Sequence, residues 1–352
     1  MRIYWLLAMV PVSLALDWFE AAPWLVFLTS AISIVPLASL MERATESLAH
    51  VLGPNLGGLL SASLGNAPEM IIAISALYKG LDEIVKASIV GSILGNLLFV
   101  LGVAMIAGGT GRSVQYFNRE SASLGSGLLF LAVSALMVPA LFFHSANSST
   151  REISVEIAVI LFLVYGLSLL FSLKTHKHLL GERTPDEMGH TASLWSVRVA
   201  SMVLVGVTIV IAVVSEVLTG SVEATAKLMG LSDVFAGVIL LATVGNLAQL
   251  INSVRFARKD KMDLALSITV GSSTQIALLV APLLVFIGFA TGQRMDLVFT
   301  EFEVIGLAIT ILAVRNLTHD GESHWMEGVM LVAIYLILAI GLYFLPVPAT
   351  TP

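Results

Sequence analysis

Along the chain, long apolar runs alternate with short polar breaks. Runs long enough to cross a hydrocarbon core of ~30 Å fall at 4–20, 22–42, 56–80, 84–108, 120–143, 152–173, 195–218, 232–256, 262–290, 298–315 and 326–345. They predict an all-α polytopic membrane protein with about eleven transmembrane helices. The first run follows a single Arg2 and has no small-residue cleavage site after it, so it reads as an uncleaved first helix rather than a secretory signal.

The pattern also repeats. Residues 65–102 align without a gap on 245–282 at an offset of 180, which sets Gly65 on Gly245, Asn66 on Asn246, Glu69 on Gln249, Gly91 on Gly271 and Ser92 on Ser272. The expected organisation is a first helix (1–21), a five-helix repeat (22–174), a central cytoplasmic linker (175–194), a second five-helix repeat (195–345) and an extracytoplasmic tail (346–352). An odd number of spans per repeat makes the second half enter the membrane from the opposite side. The result is an inverted-topology repeat, an architecture of secondary transporters that places the substrate near the midplane.

Composition agrees with the class. Of the 352 residues 57% are apolar and 12% charged, against roughly 25% charged in an average soluble domain, and mean hydropathy is +0.94. With no cysteine, disulfides and thiolate metal sites are excluded. The net charge of -6 is spread over short loops and implies no nucleic-acid surface. With the N-terminus in the cytoplasm, thirteen Lys and Arg residues fall in loops on that side and five on the other, which satisfies the positive-inside rule and puts the C-terminus outside.

Within this apolar background the repeated motif carries the candidate chemistry. Gly65-Asn66-Ala67-Pro68-Glu69 and Gly245-Asn246-Leu247-Ala248-Gln249 both lie inside apolar runs. A carboxylate at membrane depth costs on the order of 3 kcal/mol even on a mild scale, so Glu69 reads as an ion or proton site; a neutral carboxyl bonded between helices is the plain alternative. Pro68 is expected to loosen the helix around it and free carbonyls. Asn66, Glu69, Asn246 and Gln249, with Ser92, Asn96, Ser272, Ser273 and Gln275 on the following helices, offer oxygens suited to a hard cation such as Ca²⁺. Asn66 and Asn246 could equally bond across the helix crossing, and Ser92, Asn96, Ser272, Ser273 and Gln275 could serve packing. Glu69 and Gln249 are the leading metal ligands, and soft ligands for copper or zinc are absent.

Several stretches carry a family resemblance. Gly65 to Glu69, Lys86-Ala87-Ser88-Ile89-Val90-Gly91-Ser92-Ile93-Leu94-Gly95-Asn96, Gln115 to Asn118, Leu173 to Lys177, Lys261 to Leu266, Gly271 to Ala277 and Trp325 to Gly328 are similar, in this order, to segments of the cation/proton exchanger family, the Ca²⁺/H⁺ antiporters of the calcium/cation antiporter superfamily. The resemblance implies eleven helices, alternating access and signature glutamates that bind cation and proton in turn. It departs at one place: the family's second signature ends in Glu-His, and this chain has Gln249-Leu250.

Gln249 keeps a carbonyl oxygen but brings neither charge nor a titratable proton. Leaving a divalent ion with one compensating carboxylate in a low-dielectric site costs several kcal/mol. Ca²⁺/H⁺ exchange with altered coupling therefore stands beside two alternatives, a monovalent cation/H⁺ exchanger and a transport-deficient cation-binding or assembly protein. No Walker loop, H-E-x-x-H or aspartyl-phosphate context is present, so the chain reads as a transporter driven by an ion gradient, without cofactors, rather than an enzyme. Glu216, Glu223, Glu301, Glu303 and Glu327 read as interfacial carboxylates or caps, and His176, His178 and His190 as solvated linker histidines. The expected partners are Ca²⁺, protons and the lipid bilayer, with self-association left open. The compact chain, with no stretch beyond about twenty residues outside the apolar runs, fits a prokaryotic cytoplasmic membrane.

Overall fold

The computed structural model describes residues 2–143, 150–176 and 195–345. Most of the linker expected at 175–194, with His178 and His190, and the tail expected at 346–352 lie outside these residues. The described chain is almost wholly helical: α1 (Tyr4–Trp18), α2 (Pro23–Gly53), α3 (Leu56–Leu64), α4 (Ala67–Tyr78), α5 (Asp82–Gly109), α6 (Arg119–Leu141), α7 (Arg151–Thr175), α8 (Val197–Leu228), α9 (Asp233–Arg258), α10 (Met262–Thr291), α11 (Glu301–Leu317) and α12 (Trp325–Tyr343). Among the described residues eight helices are long and apolar enough to cross a bilayer, and nine if α3 and α4, bent by 42° at their junction, form one span. The other two expected runs fall on shorter helices, α1 and the 17-residue α11.

Several helices begin where the sequence supplies caps. The Asn118 side chain accepts from Ser121 N at the start of α6, and Ser196 does the same for Val199 N at the start of α8. Thr300 and Glu303 form a reciprocal capping box on α11, so the buried Glu303 serves as a cap rather than a solvated interfacial acid. Glu327 likewise closes the start of α12 by accepting from His324 N at 3.0 Å. A two-residue antiparallel pairing, β1 (Gln115–Tyr116) with β2 (Glu322–Ser323), ties the turn before α6 to the turn before α12.

Two apolar cores hold the bundle. One gathers side chains such as Ile93, Leu97, Leu129, Leu161, Ile276 and Leu331, and the other gathers Ile34, Met41, Ile72, Ile211, Leu218 and Val244. Helix α5 is enclosed almost throughout, with Ile84 to Leu98 buried without interruption. Helices α5 and α10 each change to π-helical hydrogen bonding for about one turn, at Gly95–Val100 and Ile276–Val280. These two turns nearly coincide under the 180-residue offset, whereas further π turns in α7 and α9, at Phe171–Thr175 and Ala236–Leu241, have no such counterpart among the described residues. A π turn displaces the side chains after it from the ordinary helical faces and is common at functional sites.

Candidate functional site

The two motif segments meet through Glu69 and Gln249. The first sits at a helix break. Gly65 and Asn66 form the turn between α3 and α4, with Asn66 as the N-cap of α4 and Glu69 in its first turn. A carboxylate there is favoured by the positive end of the helix dipole. Pro68 occupies the opening turn of α4, where its missing N–H leaves no helical bond unmade, so the break falls at Gly65-Asn66 and not at the proline. The second motif runs through the interior of α9 without a break. The two copies are alike in sequence and unlike in backbone.

Close approach between the copies depends on their glycines. A Cβ at position 245 would stand 2.8 Å from Cγ of Glu69, and one at position 65 would stand 3.1 Å from Oε1 of Gln275. Glu69 therefore lies directly across the bare backbone of α9.

The side chains then join in one network. Gln249 Nε2 donates to Glu69 Oε1 at 2.8 Å, with longer contacts to Asn66 Oδ1 and Ser272 Oγ, both at 3.4 Å. Ser272 Oγ donates to Asn66 Oδ1 at 2.6 Å and accepts from Asn96 Nδ2 at 3.0 Å. Asn66 Nδ2 donates to Gln275 Oε1 at 2.8 Å and to Ser272 O at 3.3 Å. Its counterpart Asn246 Nδ2 donates to Ser92 O at 3.2 Å. The last two carbonyl contacts are the same interaction at the 180-residue offset, made once by each half.

Glu69, Asn66, Asn96, Gln249, Ser272 and Gln275 are thus brought together through their side chains, while Asn246 and the Ser92 main-chain carbonyl make a separate contact between α9 and α5. Ser273 is turned to its own helix, where its hydroxyl donates to Thr269 O at 2.8 Å. Four oxygens of these residues are buried and have no hydrogen-bond partner: Oε2 of Glu69, Oε1 of Gln249 and Oδ1 of Asn96 in the network, and Oδ1 of Asn246 beside Ser92. An unpaired buried acceptor costs roughly 1–3 kcal/mol. A desolvated cation or a proton satisfies such a set, and a further apolar contact does not. Among the described residues no group of three or more His, Asp or Glu is placed to hold a metal ion. Amides and hydroxyls around a single carboxylate make up the polar cluster.

A cavity of about 310 Å³ opens beside Glu69 and Gln249. Its wall runs along α9 through Gly245, Ala248, Gln249, Asn252 and Phe256, and along α2 through Ala38, Met41, Glu42, Thr45 and Glu46. Glu42 and Asn252 are additions to the residues singled out in the sequence. The apolar run ending at residue 42 suggested a loop there, whereas α2 continues to Gly53 and carries both acids on one helical face. The spacing 38, 41, 42, 45, 46 was the available signal.

Known proteins share much of this chain's sequence and fold. The family described as sodium/calcium exchanger protein matches residues 22–174 and 199–344. The chain is 42% identical to a Ca²⁺/H⁺ antiporter of Aphanothece halophytica, over 97% of this chain and 96% of that protein. It is 40% identical to the Ca²⁺/H⁺ antiporter ChaA of Bacillus subtilis, over 98% and 99%. Among solved structures, native YfkE aligns with a TM-score of 0.83 and 38% identity over 97% of this chain and 100% of that one. The H⁺/Ca²⁺ exchanger CAX aligns with a TM-score of 0.74 over 97% and 91%, at 14% identity, and shares the fold. From the match in both halves and the near full-length identity, the chain belongs to the sodium/calcium exchanger protein family.

Proposed function

We propose that this protein is a secondary transporter that exchanges Ca²⁺ for H⁺ by alternating access, with Glu69 holding cation and proton in turn. The observation that carries the reading is the Glu69–Gln249 contact at the edge of a cavity, surrounded by buried oxygens that lack partners. Oε2 of Glu69, Oε1 of Gln249 and Oδ1 of Asn96 and Asn246 are the atoms available to the cargo. Asn66, Ser272, Gln275 and the Ser92 carbonyl orient them. Ca²⁺ takes six to eight oxygens, so water or main-chain carbonyls complete the shell. A proton on Glu69 removes the charge that attracts the cation, which makes occupancy by the two mutually exclusive. The printed names of the relatives, Ca²⁺/H⁺ antiporters, support this cargo.

The halves 22–174 and 195–345 are proposed as inverted repeats. The reciprocal contacts of Asn66 with Ser272 O and Asn246 with Ser92 O, and the matched π turns, support this. The cavity extends along α9 toward Phe256, near the turn bearing Arg255, Arg258, Lys259 and Lys261. By the positive-inside rule that turn is cytoplasmic, so the cavity is the proposed cytoplasmic entrance in a bacterial-type cytoplasmic membrane.

A second reading rests on one observation, the neutral Gln249. One carboxylate balances one positive charge, which suits Na⁺ or K⁺ exchange for H⁺. Proton flux in proteoliposomes under imposed Ca²⁺, Na⁺ or K⁺ gradients separates the readings. Flux driven by Ca²⁺ supports the first, flux with Na⁺ or K⁺ only supports the second, and no flux with any of the three contradicts both.

A further inference from the structure

The break between α3 and α4 sets Asn66 and Glu69 in the polar cluster, and it interrupts the helical hydrogen bonds there. The last turn of a helix leaves carbonyls without intrahelical partners, and within a bilayer such a group needs a donor from the protein. In a continuous helix the carbonyl of Ala62 would accept from the N–H of Asn66, four residues on. Asn66 instead stands at φ -116° as the N-cap of α4. The Ala62 carbonyl accepts from the hydroxyl of Tyr165 at 3.0 Å. Tyr165 lies on α7 and is buried.

The surroundings hold this contact in place. Helix α7 also seats closely on α3 at Gly58, one turn before Ala62, where a Cβ would stand 2.6 Å from Cδ2 of Leu173. Beyond the break, Gln275 Oε1 accepts from Asn66 Nδ2 at 2.8 Å. Tyr165 and Gln275 share the wall of a second cavity, of about 190 Å³, which α6, α7 and α10 line. Side chains of other helices thus hold the break from both ends, Tyr165 before it and Gln275 after it. The second motif provides a comparison within the same molecule. Helix α9 runs unbroken through Ala242 and Asn246, so the carbonyl equivalent to that of Ala62 keeps its helical partner. Tyr335, on the last helix of that half, hydrogen-bonds with the side chain of Thr243. A tyrosine hydroxyl therefore meets the backbone where the motif helix is broken, and a side chain where it is continuous.

We infer that Tyr165 is a positioning residue for the exchange: its hydroxyl, by capping α3 at Ala62, holds the bend that presents Asn66 and Glu69 to the cargo. The inference rests on the exchange reading for its cargo. Without the hydroxyl, the Ala62 carbonyl turns to the N–H of Asn66 and α3 continues across Gly65 and Asn66 as α9 does. Asn66 and Glu69 then rotate away from Gln275, Ser272 and Gln249. The fraction of molecules with a competent site falls, and the apparent affinity for cargo falls with it. The carboxyl that exchanges the proton is itself unchanged, so the maximal rate does not depend on Tyr165.

The test measures Ca²⁺ binding to the purified full-length protein by titration calorimetry and Ca²⁺-driven proton flux in proteoliposomes, for the parent, Tyr165→Phe and Tyr335→Phe. Tyr165→Phe is expected to raise the Ca²⁺ dissociation constant and the half-saturating Ca²⁺ concentration by about ten-fold, with maximal flux kept within about two-fold. Tyr335→Phe deletes the same group beside a continuous helix, and its Ca²⁺ affinity is expected to stay within about two-fold of the parent. Unchanged affinity in Tyr165→Phe, or an equal loss in both variants, overturns the assignment, because a hydroxyl that only stabilises the bundle acts alike at both places. A fall in maximal flux at unchanged half-saturating Ca²⁺ overturns it as well. Parent protein that binds Ca²⁺ in a Tyr165-dependent way but moves no protons with it overturns the exchange reading instead and leaves the positioning role standing, whereas parent protein that binds no Ca²⁺ overturns both.

Discussion

Glu69 and Gln249, 180 residues apart in sequence and at equivalent places in the two motifs, touch at 2.8 Å. The pair places an acid from one half against an amide from the other, so a change in how the halves meet changes the group that holds the cargo. Alternating access requires such a link between site and scaffold.

Gln249→Glu puts a second carboxylate against Glu69. Two carboxylates at this distance resist simultaneous ionisation unless a cation lies between them. The variant is expected to bind Ca²⁺ about ten-fold more tightly than the parent at a pH where both acids are ionised. Added Ca²⁺ is also expected to raise its thermal unfolding midpoint further than it raises the parent's. Titration calorimetry and thermal unfolding with and without Ca²⁺ check both outcomes, and equal Ca²⁺ affinity in parent and variant counts against a shared site.

Gly245→Ala introduces a methyl 2.8 Å from Cγ of Glu69. Overpacking of this kind costs about 1–3 kcal/mol, and here the group that must move is the carboxylate. Ca²⁺-driven flux is expected to fall by about ten-fold with the helical circular dichroism unchanged. Flux equal to that of the parent contradicts the close packing of Glu69 on α9.

Ser272→Ala removes the hydroxyl that contacts Asn66, Asn96 and Gln249 together. Two of those contacts, at 2.6 and 3.0 Å, are of full hydrogen-bond length. Loss of the hydroxyl takes from the buried Asn96 Nδ2 the acceptor it bonds and leaves Asn66 Oδ1 only the 3.4 Å contact from Gln249, at about 1–3 kcal/mol. Ca²⁺ affinity and thermal stability are both expected to drop, whereas Ser273→Ala, whose hydroxyl bonds within its own helix, is expected to leave Ca²⁺ affinity unchanged.

Lys86 is a buried cation that pairs with Glu83 at 2.9 Å and Asp296 at 3.4 Å, linking α5 to the segment before α11. Lys86→Met strands the two acids, of which Glu83 is largely exposed. The cost is therefore about 2 kcal/mol, below the 3–5 kcal/mol of a wholly buried pair. Thermal unfolding in detergent reads it as a lower midpoint, with Lys86→Arg intermediate.

The polar cluster was legible in the sequence because its members are oxygen-bearing residues inside apolar runs, related by a constant offset. Asn66, Glu69, Gln249, Asn96, Ser272 and Gln275 converge, and Asn246 makes the contact equivalent to that of Asn66. The serines illustrate the limit: Ser92 enters by its carbonyl and Ser273 turns away, because a serine in a helix can bond its own preceding turn and sequence spacing cannot say which it does. The π turns at 95–100 and 276–280 carry no residue signature. Glu42 was hidden for a different reason. Hydropathy ends the run at residue 42, although α2 continues to Gly53 and Thr45 and Glu46 still line the cavity.

Proton release on Ca²⁺ binding tests the central role of Glu69 most directly. Purified protein in weakly buffered detergent solution is titrated with Ca²⁺ while pH is followed, for the parent and for Glu69→Gln in parallel. The account predicts that Ca²⁺ displaces protons from the parent and none from Glu69→Gln, which has no carboxyl to exchange. Equal proton release from both proteins would place the exchanging group elsewhere and contradict the account.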